Sequence, residues 1–143
     1  MSTIPFTDRE LKRAWRNLSL TAGPEGGRQN IHRLLLFYAV ECGLKAVWLK
    51  RRCRTLFDQD DIDQTGHDLR KILKDLGVGT SFSLPVNLQL SPVNRGGQSI
   101  PRNGTISILH QAWRYGGLCC SPSDQDCETA LQDVLHWINK ELT

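Results

Sequence analysis

Two arginine–histidine pairs are the residues whose types and spacing best suit proton transfer beside a phosphate. Arg28 and His32 are four positions apart, so a helix would place both side chains on one face. Arg102 precedes His110 by eight positions, and we expect the arginine in a loop and the histidine on a helix. Metal-free cleavage of RNA needs a base, an acid and a cation, which histidine and arginine can supply. The alternative for Arg28 and His32 is that they flank and cap the first turn of a helix.

A cluster of positive charge lies near the middle of the chain, at Lys50, Arg51, Arg52 and Arg54. The formal net charge of the chain is only +3, so affinity for nucleic acid has to come from such local clusters. We group these four residues with Arg114 as candidate RNA contacts. The alternative is that the cluster compensates the negative end of the helix that it terminates.

Four further polar residues are predicted to line a cleft or an interface: Glu41, Lys45, His67 and Tyr115. Glu41 and Lys45 are four positions apart with the acid first, the order that favours an ion pair on a helix. His67 opens a predicted helix, where capping or an interhelical hydrogen bond is its alternative role. Tyr115 ends another predicted helix, where it can also simply pack against a neighbour.

The element that positions these residues is a long apolar segment from His32 to Lys50. It is apolar on nearly every side, so other helices or a second copy of the chain must cover it all round. A membrane span is excluded, because Glu41 and Lys45 lie in its middle and no run of about 18 apolar residues exists. The segment is therefore predicted to be the central helix of the fold.

Four more helices are predicted around the central one. Their capping residues and stop glycines are Thr7 with Glu10, Thr65 with Gly77, Thr105 with Gly116, and Ser123 for a helix that reaches the C-terminus. The acidic residues 58–66 are predicted to be a loop. Together these patterns predict an all-α fold, a four- to five-helix up-and-down bundle.

One segment departs from the helical pattern. Apolar and polar residues alternate strictly from Ser81 to Ser91, which is the periodicity of a strand. Pro85 cannot donate to a ladder, so the segment is predicted to be an edge strand or a strap laid over the helices. The turn-rich residues that follow are predicted to be a loop. Residues 80–104 thus form an extended insertion between helices 3 and 4.

The length of 143 residues suits one domain, predicted over residues 1–143. The first ten residues lack the basic and apolar regions of a secretion signal, so we expect a cytoplasmic protein. The five cysteines are an odd number, which favours free thiols. No metal site is predicted, because neither the cysteines nor the acidic segment has the ligand spacing of zinc or calcium sites. No cofactor motif is found.

Three segments of the sequence together resemble the HEPN superfamily of small helical-bundle proteins. In chain order they are YAVECGLKAVWLK at Tyr38–Lys50, HDLRKIL at His67–Leu73, and the shorter Trp113–Tyr115. They cover roughly residues 28–116. The resemblance implies a helical bundle that commonly dimerises. In many members it also implies a metal-independent ribonuclease with a composite site at the dimer interface.

The family's catalytic pattern is an arginine, a polar residue and then a histidine. Asn103 beside Arg102 matches the polar residue, but neither arginine–histidine pair of this chain has the family spacing. The resemblance predicts a metal-independent endoribonuclease acting as a toxin or an antiviral defence effector, with a second copy and RNA as partners. The alternative is a non-catalytic subunit that docks onto a protein partner in a toxin–antitoxin or defence complex. Its docking element would be Ser81–Ser91, which would either add to a sheet edge of the partner or strap a neighbouring subunit.

Overall fold

The computed structural model of the chain describes residues 4–66 and 68–143. Within these residues the fold is mixed α/β, so the predicted all-α up-and-down bundle is wrong. The helices are α1 (Asp8–Ala22), α2 (Asn30–Arg51), α3 (Gln59–Thr65), α4 (Leu69–Asp75), α5 (Leu109–Arg114) and α6 (Asp124–Leu142). The strands are β1 (Phe6–Thr7), β2 (Leu56–Phe57), β3 (Asn87–Arg95), β4 (Gln98–Thr105) and β5 (Cys119–Ser121). A short 3-10 helix, Ile106–Ile108, leads into α5.

The predicted central helix is confirmed as α2, which is also the main element of the core. Twelve of its 22 residues are buried, among them Phe37 and Trp48. The helices α1, α4, α5 and α6 pack around it. At Gly43 the backbone of α2 approaches Trp15 of α1 and Ile138 of α6 so closely that a side chain would collide with both. The expectation that an all-round apolar helix needs cover on every side therefore holds within one chain.

The ends of α1 and α6 follow the predicted capping signals. Thr7 accepts a hydrogen bond from the backbone of Glu10, whose carboxylate accepts one from the backbone of Thr7, at 3.1 and 3.0 Å. This reciprocal capping box satisfies two backbone donors at the start of α1. Ser123 caps α6 in the same position by accepting from the backbone N–H of Asp126.

The acidic segment 58–66 forms a helix, α3, and its prediction as a loop is wrong. Asp58 caps α3 by accepting from two backbone N–H groups of the first turn, and Asp61 accepts from the backbone N–H of Asp58 at 2.9 Å. The reciprocal pair is a capping box built from two aspartates. The next helix, α4, is capped by Asp68. Thr65, its predicted cap, instead donates to the carbonyl oxygen of Asp61 inside α3.

The insertion predicted over residues 80–104 supplies two of the three strands of the larger sheet, β3 and nearly all of β4, whereas β5 comes from residues 119–121. β3 pairs with β4 on one side and with β5 on the other, both antiparallel. The hairpin turns at Gly96 and Gly97, whose φ values of 58° and 83° are accessible to glycine without steric cost. The sequence of β4, QSIPRNGT, has no apolar alternation, so the pattern predicts a loop where backbone pairing makes a strand.

The alternating segment Ser81–Ser91 is confirmed as a strand only from Asn87 onward. Its apolar side faces the core of its own chain, where Leu84, Leu88 and Leu90 are buried. The ring of Phe82 packs edge-on against Trp137 of α6 at 5.9 Å. Through Phe82 the segment straps the helices of its own chain, as predicted, but the alternative prediction of an edge strand is wrong, because β3 lies between β4 and β5. Most of its apolar side is therefore covered within the chain, whereas Val86 is 57% exposed.

Three of the four tryptophans hold neighbouring elements together through their indole N–H groups. Trp15 donates to the Asn139 side chain at 3.2 Å, which joins α1 to α6. Trp48 donates to Asp61 of α3 at 3.4 Å. Trp113 of α5 donates to Asp124, at the start of α6, at 2.9 Å. A buried indole usually finds such a partner, because an unsatisfied donor would be costly.

The five cysteines are all free thiols, as the odd count predicts. In the described part of the chain, no helix combines the length and the apolar composition that crossing a bilayer requires.

The close approach at Gly43 gives a stability prediction. A methyl group there would lie 2.7 Å from Cγ2 of Ile138 and 3.1 Å from Cδ1 of Trp15. Gly43→Ala should therefore lower the free energy of unfolding by about 1–3 kcal/mol, measured by urea denaturation, although alanine is the better helix former. In an Ile138→Ala background the same change should cost less than about 1 kcal/mol, because the closest colliding atom, Cγ2 of Ile138, is gone and only the contact with Trp15 remains. Equal costs in both backgrounds would contradict the collision.

Candidate active site

A small cleft between α2 and α5 brings together four polar side chains. Tyr38 and Glu41 come from α2, and His110 and Arg114 come from α5. The cleft has a volume of about 270 Å³, below the range of about 300–1,000 Å³ typical of ligand pockets, so it suits a group such as one phosphate. A predicted catalytic residue (His110), a predicted RNA contact (Arg114) and a predicted cleft residue (Glu41) thus meet in one place.

Helical spacing positions these side chains on each element. On α2, Tyr38 and Glu41 are three positions apart, so they share the side of the helix that faces α5. Lys45 lies one turn further along and pairs with Glu41. On α5, His110 and Arg114 are four positions apart and share one side as well. The site therefore needs only the correct packing of two helices to assemble.

The helix α5 is six residues long and is held in place by contacts at its C-terminal end. The Trp113 indole donates to Asp124, which also accepts from the backbone N–H of Cys119 at 3.3 Å. The Asn30 side chain, at the start of α2, donates to the Gly117 carbonyl oxygen at 3.3 Å. These bonds attach α5 to both α2 and α6. Isolated helices this short are unstable in water, so the anchors are needed to fix His110 and Arg114.

The two charged residues that line the cleft and carry opposite signs, Glu41 and Arg114, each contact another side chain. Lys45 lies 3.2 Å from the Glu41 carboxylate, and Glu41 is only 7% exposed. The ammonium of Lys45 also lies 5.3 Å from the centre of the Phe57 ring, which is a cation–π contact. Arg114 donates a hydrogen bond to the phenol oxygen of Tyr38. This bond is the main cause that raises the pKa of Arg114 above its ordinary value.

The imidazole of His110 is oriented by aromatic neighbours on α2. Its ring centre lies 5.5 Å from that of Phe37 and 6.4 Å from that of Tyr38. The ring is half-buried at the edge of the cleft. A carboxylate, an imidazole and a guanidinium are the groups that acid–base chemistry at a phosphate requires. The cleft therefore holds the necessary set without either of the predicted arginine–histidine pairs.

Arg28 and His32 are both engaged in helix ends. Arg28 donates to the carbonyl oxygens of Ala22 (3.0 Å) and Gly23 (2.6 Å), the last groups of α1, and its side chain is 4% exposed. His32 accepts a hydrogen bond from the backbone N–H of Gln29 at 3.1 Å, at the start of α2. The structure thus gives both side chains the capping and flanking roles that were the alternative to catalysis.

Arg102 and His110 lie on different elements with different neighbours. Arg102 is in β4, not in a loop, and its Nε donates to the Ser91 carbonyl oxygen at 2.8 Å. His110 is on a helix, as expected, and faces Phe37 and Tyr38. The arginine that shares the cleft with His110 is Arg114.

The basic cluster at the end of α2, which begins with the last two residues of that helix, is compensated by neighbouring acceptors. Lys50 donates to the carbonyl oxygen of Glu141, and Arg51 lies 3.2 Å from the Glu141 carboxylate. Arg51 also donates to the carbonyl oxygen of Leu76 at 2.6 Å, which attaches α2 to the end of α4. These contacts tie the end of α2 to α4 and α6, which is a structural use of the cluster.

The two remaining arginines of the cluster are engaged as well. The guanidinium of Arg52 lies 3.2 Å from the centre of the Trp48 ring. Arg54 makes a two-pronged contact with the Asp61 carboxylate, at 2.5 and 2.8 Å, and also bonds Asp58 at 3.1 Å. Two-pronged arginine–carboxylate contacts are among the strongest in proteins. The cluster is therefore a weaker attractant for RNA than its sequence suggests.

Two of the other predicted cleft or interface residues, Lys45 and Tyr115, do not line the cleft. His67 is outside the described residues. Tyr115 directly follows Arg114 and is 78% exposed, so its ring is open to solvent at the end of α5. Sequence reasoning did not single out Tyr38. It also missed the pairing of His110 with Arg114, although the spacing of four positions was present, because the histidine precedes the arginine.

Comparison with known proteins identifies no relative of this chain. Neither a protein-family model, nor a curated protein, nor a solved structure matches this chain. The resemblance to the HEPN superfamily consequently remains a prediction from the sequence. The description of the site stands on its geometry alone.

The Asp61 contacts of Arg54 give a prediction for acidic pH. Burial alone would raise the pKa of Asp61, but hydrogen bonds from Arg54, the Asp58 backbone and Trp48 hold it below its ordinary value of 3.8. The stabilisation is therefore complete above about pH 4 and is lost as the pH falls through the lowered pKa. Asp61→Asn should lower the free energy of unfolding by about 1–2 kcal/mol at pH 7, since Arg54 is partly exposed.

The check is urea denaturation of both proteins between pH 7 and pH 2. The gap between wild type and Asp61→Asn should shrink below pH 4, where the wild-type carboxylate takes up its proton. Asp60→Asn, on the same helix at an exposed position, is the matched control and should follow the wild type. A gap that stays constant across the range would contradict the role of the charge.

Proposed function

We propose that the cleft between α2 and α5 cleaves RNA without a metal ion. The observation that carries the proposal is the convergence of Glu41, His110 and Arg114 on one phosphate-sized cleft. The sequence resemblance to the HEPN superfamily supports the same class of reaction and adds a homodimer to the proposal. The protein would then act as an endoribonuclease effector of the toxin or defence type.

The proposed reaction is an attack by the ribose 2′-hydroxyl on the adjacent phosphate. Glu41 accepts the proton of the 2′-hydroxyl, the new O–P bond forms, and the bond from phosphorus to the 5′-oxygen breaks. His110 donates a proton to the leaving 5′-oxygen. The products are a 2′,3′-cyclic phosphate and a free 5′-hydroxyl, so neither water nor an oxidant is consumed in this step.

The cations of the site would stabilise the charge that develops on the phosphate. Arg114 is the cation that lines the cleft, and its bond to Tyr38 restrains the guanidinium before substrate arrives. Preorganised charge of this kind often contributes the largest part of a rate enhancement. Lys45, bound to Glu41, is placed to keep the carboxylate oriented.

The test is the incubation of purified protein with end-labelled RNA in EDTA, followed by sizing of the products and identification of their ends. We expect fragments that end in 2′,3′-cyclic phosphate. His110→Ala and Glu41→Gln should each lower the rate by about 10²–10⁴-fold, the usual contribution of general acid–base catalysis. An RNA with a single 2′-deoxyribose should resist cleavage at that position, because the attacking oxygen is absent.

Two matched controls separate this site from the other candidates. His136→Ala removes an exposed histidine that bonds Gln132 on α6, and Arg102→Ala removes the arginine of β4. Both variants should cleave like the wild type. RNA that stays intact with the wild type, or cleavage that His110→Ala leaves unchanged, would refute the proposal. Intact RNA would then favour the non-catalytic docking subunit.

A further inference from the structure

A second cationic surface lies on α1, away from the cleft. Its four residues are Arg9, Lys12, Arg13 and Arg16, which follow the spacing i, i+3, i+4, i+7 and therefore form one stripe along the helix. Together with Asn17 they line a shallow cleft of about 350 Å³. At 1.5 Å per residue the stripe is about 10 Å long. We call these four residues the α1 stripe.

The charges of the α1 stripe are only weakly compensated by the protein. The pKa of Glu10 is lowered mainly by its hydrogen bonds with Thr7 and to a smaller extent by the charge of Arg13. Within residues 4–66 and 68–143, none of its four cations forms an ion pair, whereas the cluster at residues 50–54 includes two that do. The acids of α1 are Asp8 and Glu10, in its first turn, and Glu10 is held by hydrogen bonds from Thr7. The stripe therefore carries more uncompensated charge than the cluster at residues 50–54.

The α1 stripe and the cleft use different sides of α2. Trp15 of α1 packs at Gly43 of α2, whereas the cleft lies at Tyr38 and Glu41, on the side covered by α5. The stripe lies opposite the buried side of α1, so it points away from α2. Two helices, each about 10 Å across, thus separate the stripe from the cleft. A ligand must be long to reach both.

The composition of the α1 stripe indicates which class of partner it binds: a lipid surface, a protein or a nucleic acid. The apolar side chains Leu11 and Trp15 are buried, so α1 has no apolar face to insert into a lipid surface. A protein interface has an apolar centre depleted of charge, but the centre of the stripe is cationic, and one exposed leucine, Leu20, lies beyond its end. A row of arginines and lysines with no apolar centre fits the phosphate backbone of a nucleic acid.

We propose that the α1 stripe binds the phosphate backbone of a single-stranded stretch of the RNA whose cleavage is proposed at the cleft. The substrate class is therefore a long RNA, and the stripe supplies affinity without reading the base sequence. The identity of the polyanion rests on the proposed function, whereas the binding itself does not need cleavage. The stripe would lower the KM for long RNA and leave the chemical step unchanged.

The test is fluorescence anisotropy with a labelled, unstructured 20-nucleotide RNA in EDTA, using protein that carries His110→Ala so that the RNA stays intact. The stripe variant combines Arg9→Gln, Arg13→Gln and Arg16→Gln, which keep helix propensity and remove three charges. The control variant combines Arg70→Gln, Lys71→Gln and Lys74→Gln on α4, with the same change of charge. Circular dichroism checks that all three proteins are folded.

Four phosphate contacts predict a steep dependence on salt. With a slope of about 0.7 per contact, the affinity should fall about 50-fold between 50 and 200 mM salt. The affinity of the stripe variant, which keeps one phosphate contact, should fall only about threefold over this range. At 50 mM salt the variant should bind the RNA more weakly than the parent does. The control variant should behave like the parent. Equal losses in both variants, or a stripe variant that binds like the parent, would overturn the proposal.

A second pair of measurements separates this proposal from that of the cleft. In protein with an intact His110, the stripe variant should cleave a dinucleoside monophosphate at the wild-type rate and show a raised KM for long RNA. If no RNA is cleaved but salt-dependent binding of RNA is retained, the proposed cleavage at the cleft is refuted and the proposed RNA binding by the α1 stripe stands. Binding to vesicles of anionic lipid without binding to RNA would refute the stripe as a nucleic-acid surface.

Discussion

The structure depends on the burial of α2. A helix that is apolar on every side loses about 1.5–3 kcal/mol for each large side chain left exposed, so α1, α4, α5 and α6 must all pack against it. The charged residue Glu41 interrupts this apolar surface, and the cleft between α2 and α5 lies there. The cleft is thus a direct result of where the apolar pattern of α2 fails. Tyr38, one turn before Glu41, lines the same gap.

Ion pairs decide which cations of this chain are available to a ligand. Glu128 of α6 is 1% exposed and is compensated by Arg33 at 2.9 Å and by Arg28 at 3.5 Å. Removing either arginine would leave a buried charge with too little compensation, which is strongly destabilising. Arg54 is committed to Asp61 in a similar way. Among the described residues, the cations that remain for binding are therefore the ones outside these ion pairs, and these are not the ones most conspicuous in the sequence.

Most of the helices could be predicted from the sequence because their signals are local, whereas the acidic α3 was wrongly predicted as a loop. The box of Thr7 with Glu10 and the cap at Ser123 lie within one turn of the groups that they satisfy. The sheet could not be predicted, because β4 owes its conformation to backbone pairing with β3 and not to its side chains. The cleft was predictable in its members His110, Arg114 and Glu41. Their meeting was not, because it depends on the anchoring of α5 by Trp113, which spacing alone does not reveal.

The three hydrogen-bonded tryptophans lie at three different contacts between helices. Trp15 bridges α1 and α6, Trp48 bridges α2 and α3, and Trp113 bridges α5 and α6. An indole proton held in a hydrogen bond exchanges with solvent when the contact between its two helices opens. Different contacts within one protein can open with different free energies. The NMR resonances of the three indole protons therefore report separately on the opening of the three contacts. They distinguish local release of the short helix beside the cleft from unfolding of the whole chain.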